Sequence, residues 1–147
     1  MRYTPCERGS EQIAAVSKAL NGHENLRLWV DLEKDATNQT WPTKDEFAAF
    51  SAEAQSLMEP GIGCYTSSYM VRVVGFNPWT DLQGFSRMPL WVADWNRDYF
   101  KKPRTPKGAP AWKIQQYTSS GSVPGITGRV DLDVWNGSLR SLATFCG

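Results

Sequence analysis

Trp29-Val30-Asp31-Leu32-Glu33 sets two carboxylates one residue apart inside an apolar run. Residues i and i+2 of a strand share a face, so Trp29, Asp31 and Glu33 fall on one side while Leu28, Val30 and Leu32 fall on the other. Two carboxyls about 6 to 7 Å apart along one strand repel each other when both ionise. That repulsion favours one protonated donor beside one anion, a pairing suited to acid/base chemistry. The competing reading is a strand end with solvated acids, followed by Lys34 and Asp35.

Working outward, strand and helix signals alternate. Ser10 is placed to cap a helix through Ile13, Ala14, Val16 and Leu20, closed by Asn21-Gly22. The Leu26–Glu33 strand follows. Thr43-Lys44-Asp45-Glu46 is a capping box, and Phe47, Phe50, Ala54 and Leu57 recur at helical spacing until Pro60-Gly61. A short strand is expected at Ile62–Tyr65, then a short helix opened by Ser67 or Ser68 through Met70, Val71 and Val74. Pro78 marks a turn before a helical or loop stretch around Trp79 to Phe85. Pro89–Trp95 reads as a strand, Pro103–Pro110 as a long loop, and Trp112–Tyr117 and Arg129–Trp135 as two further strands. Asn136-Gly137-Ser138 opens a terminal helix through Leu139, Leu142 and Phe145.

Composition narrows the function classes. A chain of 147 residues fits one domain with a respectable core. A net charge of +1 provides no field to attract nucleic acid or an anionic membrane surface as the main partner, and the Lys101, Lys102, Arg104, Lys107 cluster reads as a solvated loop. No apolar run approaches the roughly 20 residues of a spanning helix, and the first residues lack the apolar core of a secretory signal. Cys6, Cys64 and Cys146 are widely spaced, without metal-ligand spacing, and read as buried thiols. A histidine triad would have to use His23, the single histidine, which sits in a polar turn. Seven tryptophans are the compositional excess; part of that set must be core, while Trp29, Trp91 and Trp95 lie beside polar groups where flat rings also suit sugar faces.

The alternation points to an α/β barrel or open sheet with its ligand at the carboxyl ends of the strands. Asp31 and Glu33 end one predicted strand, Tyr65 the next, Asp94 and Trp95 a third, and Gln116 and Tyr117 a fourth. Polar and aromatic groups therefore converge on one rim.

Leu28-Trp-Val-Asp-Leu-Glu33, Gly63-Cys-Tyr-Thr-Ser67, Pro89-Leu-Trp-Val-Ala93, Gln116-Tyr-Thr-Ser-Ser-Gly-Ser-Val-Pro-Gly-Ile126 and Gly128-Arg-Val-Asp-Leu-Asp133 resemble, in order and spacing, successive blocks of glycoside hydrolase family 25. These are the lysozymes, or N-acetylmuramidases, of bacteria and their phages. The resemblance runs from about Ser10 to Phe145. It implies cleavage of the β-1,4 bond between N-acetylmuramic acid and N-acetylglucosamine in peptidoglycan, with no metal or organic cofactor. It assigns Glu33 as general acid, Asp31 as the assisting carboxylate, and Asp131 as a further acid at the cleft. Tyr65, Asp94, Trp95, Gln116, Tyr117 and Trp29 are then expected to bind substrate. The implied place of action is the bacterial cell wall, reached by secretion or phage release, with no signal peptide in this chain.

The family usually begins with a strand carrying an Asp-Val-Ser block whose aspartate belongs to the active site, and nothing here matches it. The expectation is therefore a (β/α)-barrel of the family type with only strands four to eight represented, as one catalytic domain over 1–147 lacking its amino-terminal strands. Five strands cannot close an eight-stranded barrel. Three explanations compete: a portion supplied by a second polypeptide or by self-association, a shortened but complete enzyme, or a non-catalytic wall-binding or structural protein derived from a truncated lysozyme.

Overall fold

Strand β1 (Leu28–Leu32) pairs in parallel with β2 (Ile62–Ser67), β2 with β3 (Leu90–Ala93), and β3 with β4 (Trp112–Gly121). A last strand, β5 (Val130–Trp135), returns antiparallel to β4, so the sheet order is β1-β2-β3-β4-β5. Helix α2 (Lys44–Ser56) lies between β1 and β2 in the chain, α1 (Gly9–Leu20) precedes β1 and packs on α2, and α3 (Leu139–Cys146) follows β5. This computed structural model describes residues 9–22, 26–34, 40–58, 61–70, 81–85, 87–95, 98 and 101–146. The expected helix residues Val71 and Val74, the turn at Pro78, and Trp79, Cys6 and His23 lie outside them.

Local signals account for most boundaries. The Thr43 hydroxyl accepts from the Glu46 N–H at 3.2 Å, while the Glu46 carboxylate accepts from the Thr43 N–H at 2.8 Å. That reciprocal box starts α2. Helix α1 begins at Gly9, one residue before the expected cap, and is followed by Asn21 and Gly22, both at positive φ. Between β4 and β5, the Ile126 N–H donates to the Val123 carbonyl at 3.1 Å. Pro124 and Gly125 occupy the two central positions, and the Gly125 φ of 87° is the left-handed value that a type II turn requires. Pairing with β5 also carries β4 to Gly121, beyond the Tyr117 end expected from hydrophobicity alone.

Alternation divides the sheet into two unlike faces. Val30 and Leu32 of β1, Ile62 and Cys64 of β2, and Leu90 and Val92 of β3 are buried. They share one cluster with Ile13 of α1 and Phe47, Phe50 and Ala54 of α2, together with Met58, Met70, Leu82 and Met88. On the opposite face the register places Trp29 beside Gly63 and Asp31 beside Tyr65. Trp29 lies so close to Gly63 that a Cβ there would sit 2.4 Å from the indole. A glycine is needed at this point for space, because the ring occupies the volume a side chain would fill. Gly63→Ala is expected to destabilise the fold by about 1–3 kcal/mol through overpacking, read as a lower midpoint in urea denaturation; an unchanged midpoint would mean that Trp29 can swing clear.

Candidate active site

The side chains of the open face converge on a cavity of about 390 Å³ lined by Trp29, Asp31, Glu33, Tyr65, Trp91, Gln116, Asp131 and Asp133. That volume lies within the usual span of small-ligand clefts, about 300–1,000 Å³. Period-two geometry brings them together: Trp29, Asp31 and Glu33 follow one parity along β1 and its end, and Asp131 and Asp133 follow one parity on β5. Trp91 stands between the two acidic strands. Its ring meets Trp29 edge-on at 5.6 Å and Tyr65 edge-on at 5.2 Å, and its indole N–H donates to Asp133 Oδ1 at 2.7 Å. At the lower end, Phe145 of α3 packs on Trp29 at 6.1 Å and on Trp135 at 4.8 Å, with the Arg27 guanidinium 4.3 Å above its ring.

Gln116 is the polar hub. Its Oε1 accepts from the Tyr65 hydroxyl at 3.1 Å and from the Trp95 indole N–H at 2.7 Å. Burial pushes the Tyr65 phenol well above its ordinary range. The negative charges of Glu33, Asp31 and Asp131 push the same way, against the pull of the Gln116 hydrogen bond. Tyr65 therefore stays a neutral donor. Burial also raises the Asp133 carboxyl, the Trp91 hydrogen bond opposes the rise, and the Asp131 charge adds to it. Behind the cavity, the buried Cys64 thiol is pushed up to about 12 by desolvation and then by Asp31, so it is an inert thiol rather than a nucleophile.

Of the residues expected at the rim, Trp29, Asp31, Glu33, Tyr65, Gln116 and Asp131 meet in this cavity. Trp95 reaches it through Gln116, with 59% of its surface exposed. Tyr117 does not line it. The register jumps between Gln116 and Thr118, leaving Tyr117 as the extra residue of a bulge. Asp94 does not line it either. It follows the parity of Leu90 and Val92, toward the buried side, and is fully buried. Trp91, noted from the sequence only as a ring suited to sugar faces, joins the lining, and Asp133 was missed, although Asp131-x-Asp133 repeats the spacing that singled out Asp31-x-Glu33. Cys146, expected to be buried, is exposed at the end of α3.

A larger recess of about 780 Å³ lies at the opposite end of the sheet, lined by Lys101, Lys102, Trp112, Trp135 and Asn136 among others. It lacks converging acid/base groups, so the smaller cavity is the candidate site despite its size.

Arg104 lies in an exposed loop, as expected, yet has a buried partner. Its guanidinium pairs with Asp94, its backbone N–H donates to Asp94 Oδ2 at 2.8 Å, and the Ser68 hydroxyl donates to Asp94 Oδ1 at 3.2 Å. Arg104 also lies over the Tyr69 ring at 4.8 Å and donates to its hydroxyl at 2.8 Å. Burial alone would raise the Asp94 carboxyl, but the Arg104 and Ser68 hydrogen bonds and the guanidinium charge hold it below the usual carboxylate range. A depressed acid contributes stability that is present above the unfolded value of about 3.9 and lost as pH falls through the folded value. Arg104→Met is expected to lower the stability near neutral pH, because it leaves the Asp94 carboxylate buried without its cation. The deficit, measured by urea denaturation, should shrink toward acid pH as the unpaired carboxyl takes up a proton; a pH-independent deficit would count against the ion pair as its source.

The family model for glycosyl hydrolases family 25 matches residues 9–126. Lysozyme M1 of Streptomyces globisporus is 39% identical over 57 residues, covering 39% of this chain and 18% of that protein. The bacterial lysozyme from Streptomyces coelicolor superposes with a TM-score of 0.66 at 23% identity, over 80% of this chain and 54% of that one. The modular autolysin LytC from Streptococcus pneumoniae superposes at 0.61 and 18% identity, over 90% of this chain and 32% of that one. This chain thus matches about half the length, or less, of these relatives. With a match over most of its length and an acidic, aromatic cleft on a sheet of the same fold, the chain belongs to glycosyl hydrolases family 25.

Proposed function

We propose that this chain is a peptidoglycan hydrolase of the lysozyme type, cleaving the β-1,4 bond between N-acetylmuramic acid and N-acetylglucosamine. The observation that carries the reading is the convergence of Asp31, Glu33 and Asp131 with Tyr65, Trp91 and Gln116 in one cavity of a family 25 chain. Glu33 donates a proton to the leaving glycosidic oxygen, and the bond from that oxygen to the anomeric carbon breaks through an oxocarbenium-like state. Asp31 steers the substrate's acetamido group, and attack at the anomeric carbon by water or by the acetamido oxygen completes the cleavage. Asp131 adds negative charge facing the developing cation, and the rings of Trp29 and Trp91 offer apolar walls to sugar faces. The relatives named lysozyme and autolysin support the bacterial cell wall as the place of action. Among the described residues no helix is long and apolar enough to cross a membrane.

Glu33→Gln is expected to abolish the loss of turbidity of a peptidoglycan suspension while glycan binding, measured by co-sedimentation, survives. Unchanged clearing by the variant would reject Glu33 as the acid. Binding without clearing by the parent chain would instead support the non-catalytic wall-binding alternative.

The reading extends to assembly. Strand β1 is the first in the sheet order and pairs with β2 on one side, and an edge strand is a template for pairing with another chain. We propose that β1 is joined by a second polypeptide, which in a purified sample is another copy of this chain. Sedimentation velocity is expected to give a concentration-dependent oligomer; a monodisperse monomer that unfolds in one cooperative transition would remove the assembly from the proposal.

A further inference from the structure

We infer that Gln116 is an amide donor locked in one orientation by Trp95, and that it takes the carbonyl oxygen of a substrate's 2-acetamido group. The inference rests on the glycan reading above and adds which polar group reads which substituent.

The orientation follows from what an indole can do. A tryptophan Nε1–H is a donor and never an acceptor, so the Gln116 atom 2.7 Å from it must be the amide oxygen. The same oxygen accepts the Tyr65 hydroxyl at 3.1 Å. Both lone pairs of Oε1 are then used, and the two Nε2 hydrogens are left to meet something else. Gln116 is only 4% exposed, and both of its side-chain hydrogen bonds to described residues use Oε1. It lines the cavity. An amide donor held open to the cleft in one orientation is ready for an acceptor that enters it.

The rest of the cavity narrows the acceptor. Asp31, Glu33, Asp131 and Asp133 are acceptors when ionised. The Trp91 N–H is committed to Asp133 and the Tyr65 O–H to Gln116 itself. An acetamido group matches this lining with two separate atoms, an N–H for a carboxylate and a C=O for the Gln116 amide. A hydroxyl at the same sugar position would have to serve both from one oxygen. Trp95 gains little from burial at 59% exposure. Its contribution is the N–H that keeps the amide from turning over, which makes it a positioning residue for Gln116.

The test is calorimetric titration with two neutral tetramers, β-1,4-linked N-acetylglucosamine and cellotetraose, the latter carrying a hydroxyl in place of each acetamido group. A glucosamine tetramer would be drawn in by the four carboxylates on charge alone. Protein carrying Glu33→Gln is used so that ligand is not consumed. The acetylated tetramer is expected to bind about tenfold tighter than cellotetraose, the scale of one well-made hydrogen bond. Gln116→Glu, which puts an acceptor where the donor was, is expected to abolish the preference. Trp95→Phe, which keeps a ring but removes the N–H, is expected to reduce it several-fold. If Gln116→Glu does not fold by thermal denaturation, Trp95→Phe and Tyr65→Phe decide the matter through the same ratio. A preference that survives these substitutions overturns the assignment while leaving the glycan reading in place. If neither tetramer binds the parent, the glycan reading fails and the assignment falls with it.

Discussion

The parallel pairing of β1 with β2 puts Trp29 against Gly63, a residue without a side chain, and the indole lies across the gap so closely that a single methyl would collide with it. That contact fixes more than one ring. Once Trp29 lies on this face, the two-residue repeat of the strand carries Asp31 and Glu33 to the same side and sends Val30 and Leu32 into the core. Trp91 then closes edge-on against both Trp29 and Tyr65. Trp91 thereby stands between the acidic groups of β1 and those of β5.

The electrostatics of the cleft follow from that spacing. Four carboxylates line one small cavity, and negative charge there opposes the ionisation of Tyr65 and Asp133. The effect is visible on Tyr65, whose phenol feels Glu33, Asp31 and Asp131 together, and on Asp133, which feels Asp131. Neutral donors offset part of this cost, with the Trp91 indole on Asp133 and the Tyr65 hydroxyl on Gln116. A site that gathers negative charge in this way is prepared for a positively charged transition state more than for a neutral ground state.

A second anchor holds the site from behind. Asp94 receives the Arg104 guanidinium, the Arg104 backbone N–H and the Ser68 hydroxyl, tying the end of β3 to the 101–111 loop and to the turn after β2. The backbone closes the same corner, with the Asp94 N–H donating to the Gln116 carbonyl at 3.0 Å and the Ser68 N–H to the Ala93 carbonyl at 2.9 Å. Trp95 follows directly, so its reach to Gln116 starts from a braced position. The loop that looks like a run of solvated cations thus supplies the counter-ion for a carboxylate with no access to water.

Local signals in the sequence determined the elements and one wall of the site. The Thr43–Glu46 box, the Asn21-Gly22 stop, the Pro124-Gly125 turn and the alternation through Trp29, Asp31 and Glu33 act within a few residues of themselves, and their outcome needs no distant partner. What only the tertiary structure decided depends on register between strands far apart in the chain. Asp94 and Trp95 are neighbours in sequence yet part to opposite sides. Tyr117 leaves the cleft because a bulge intervenes between Gln116 and Thr118. Trp91 and Asp133 enter it because pairing through β4 brings residues of β3 and β5, 42 positions apart, within hydrogen-bonding distance. Arg104 finds Asp94 only when the loop folds back on the strand end. Pairing register, bulges and loop return are set by the packing of the whole chain, and no short window of residues contains them.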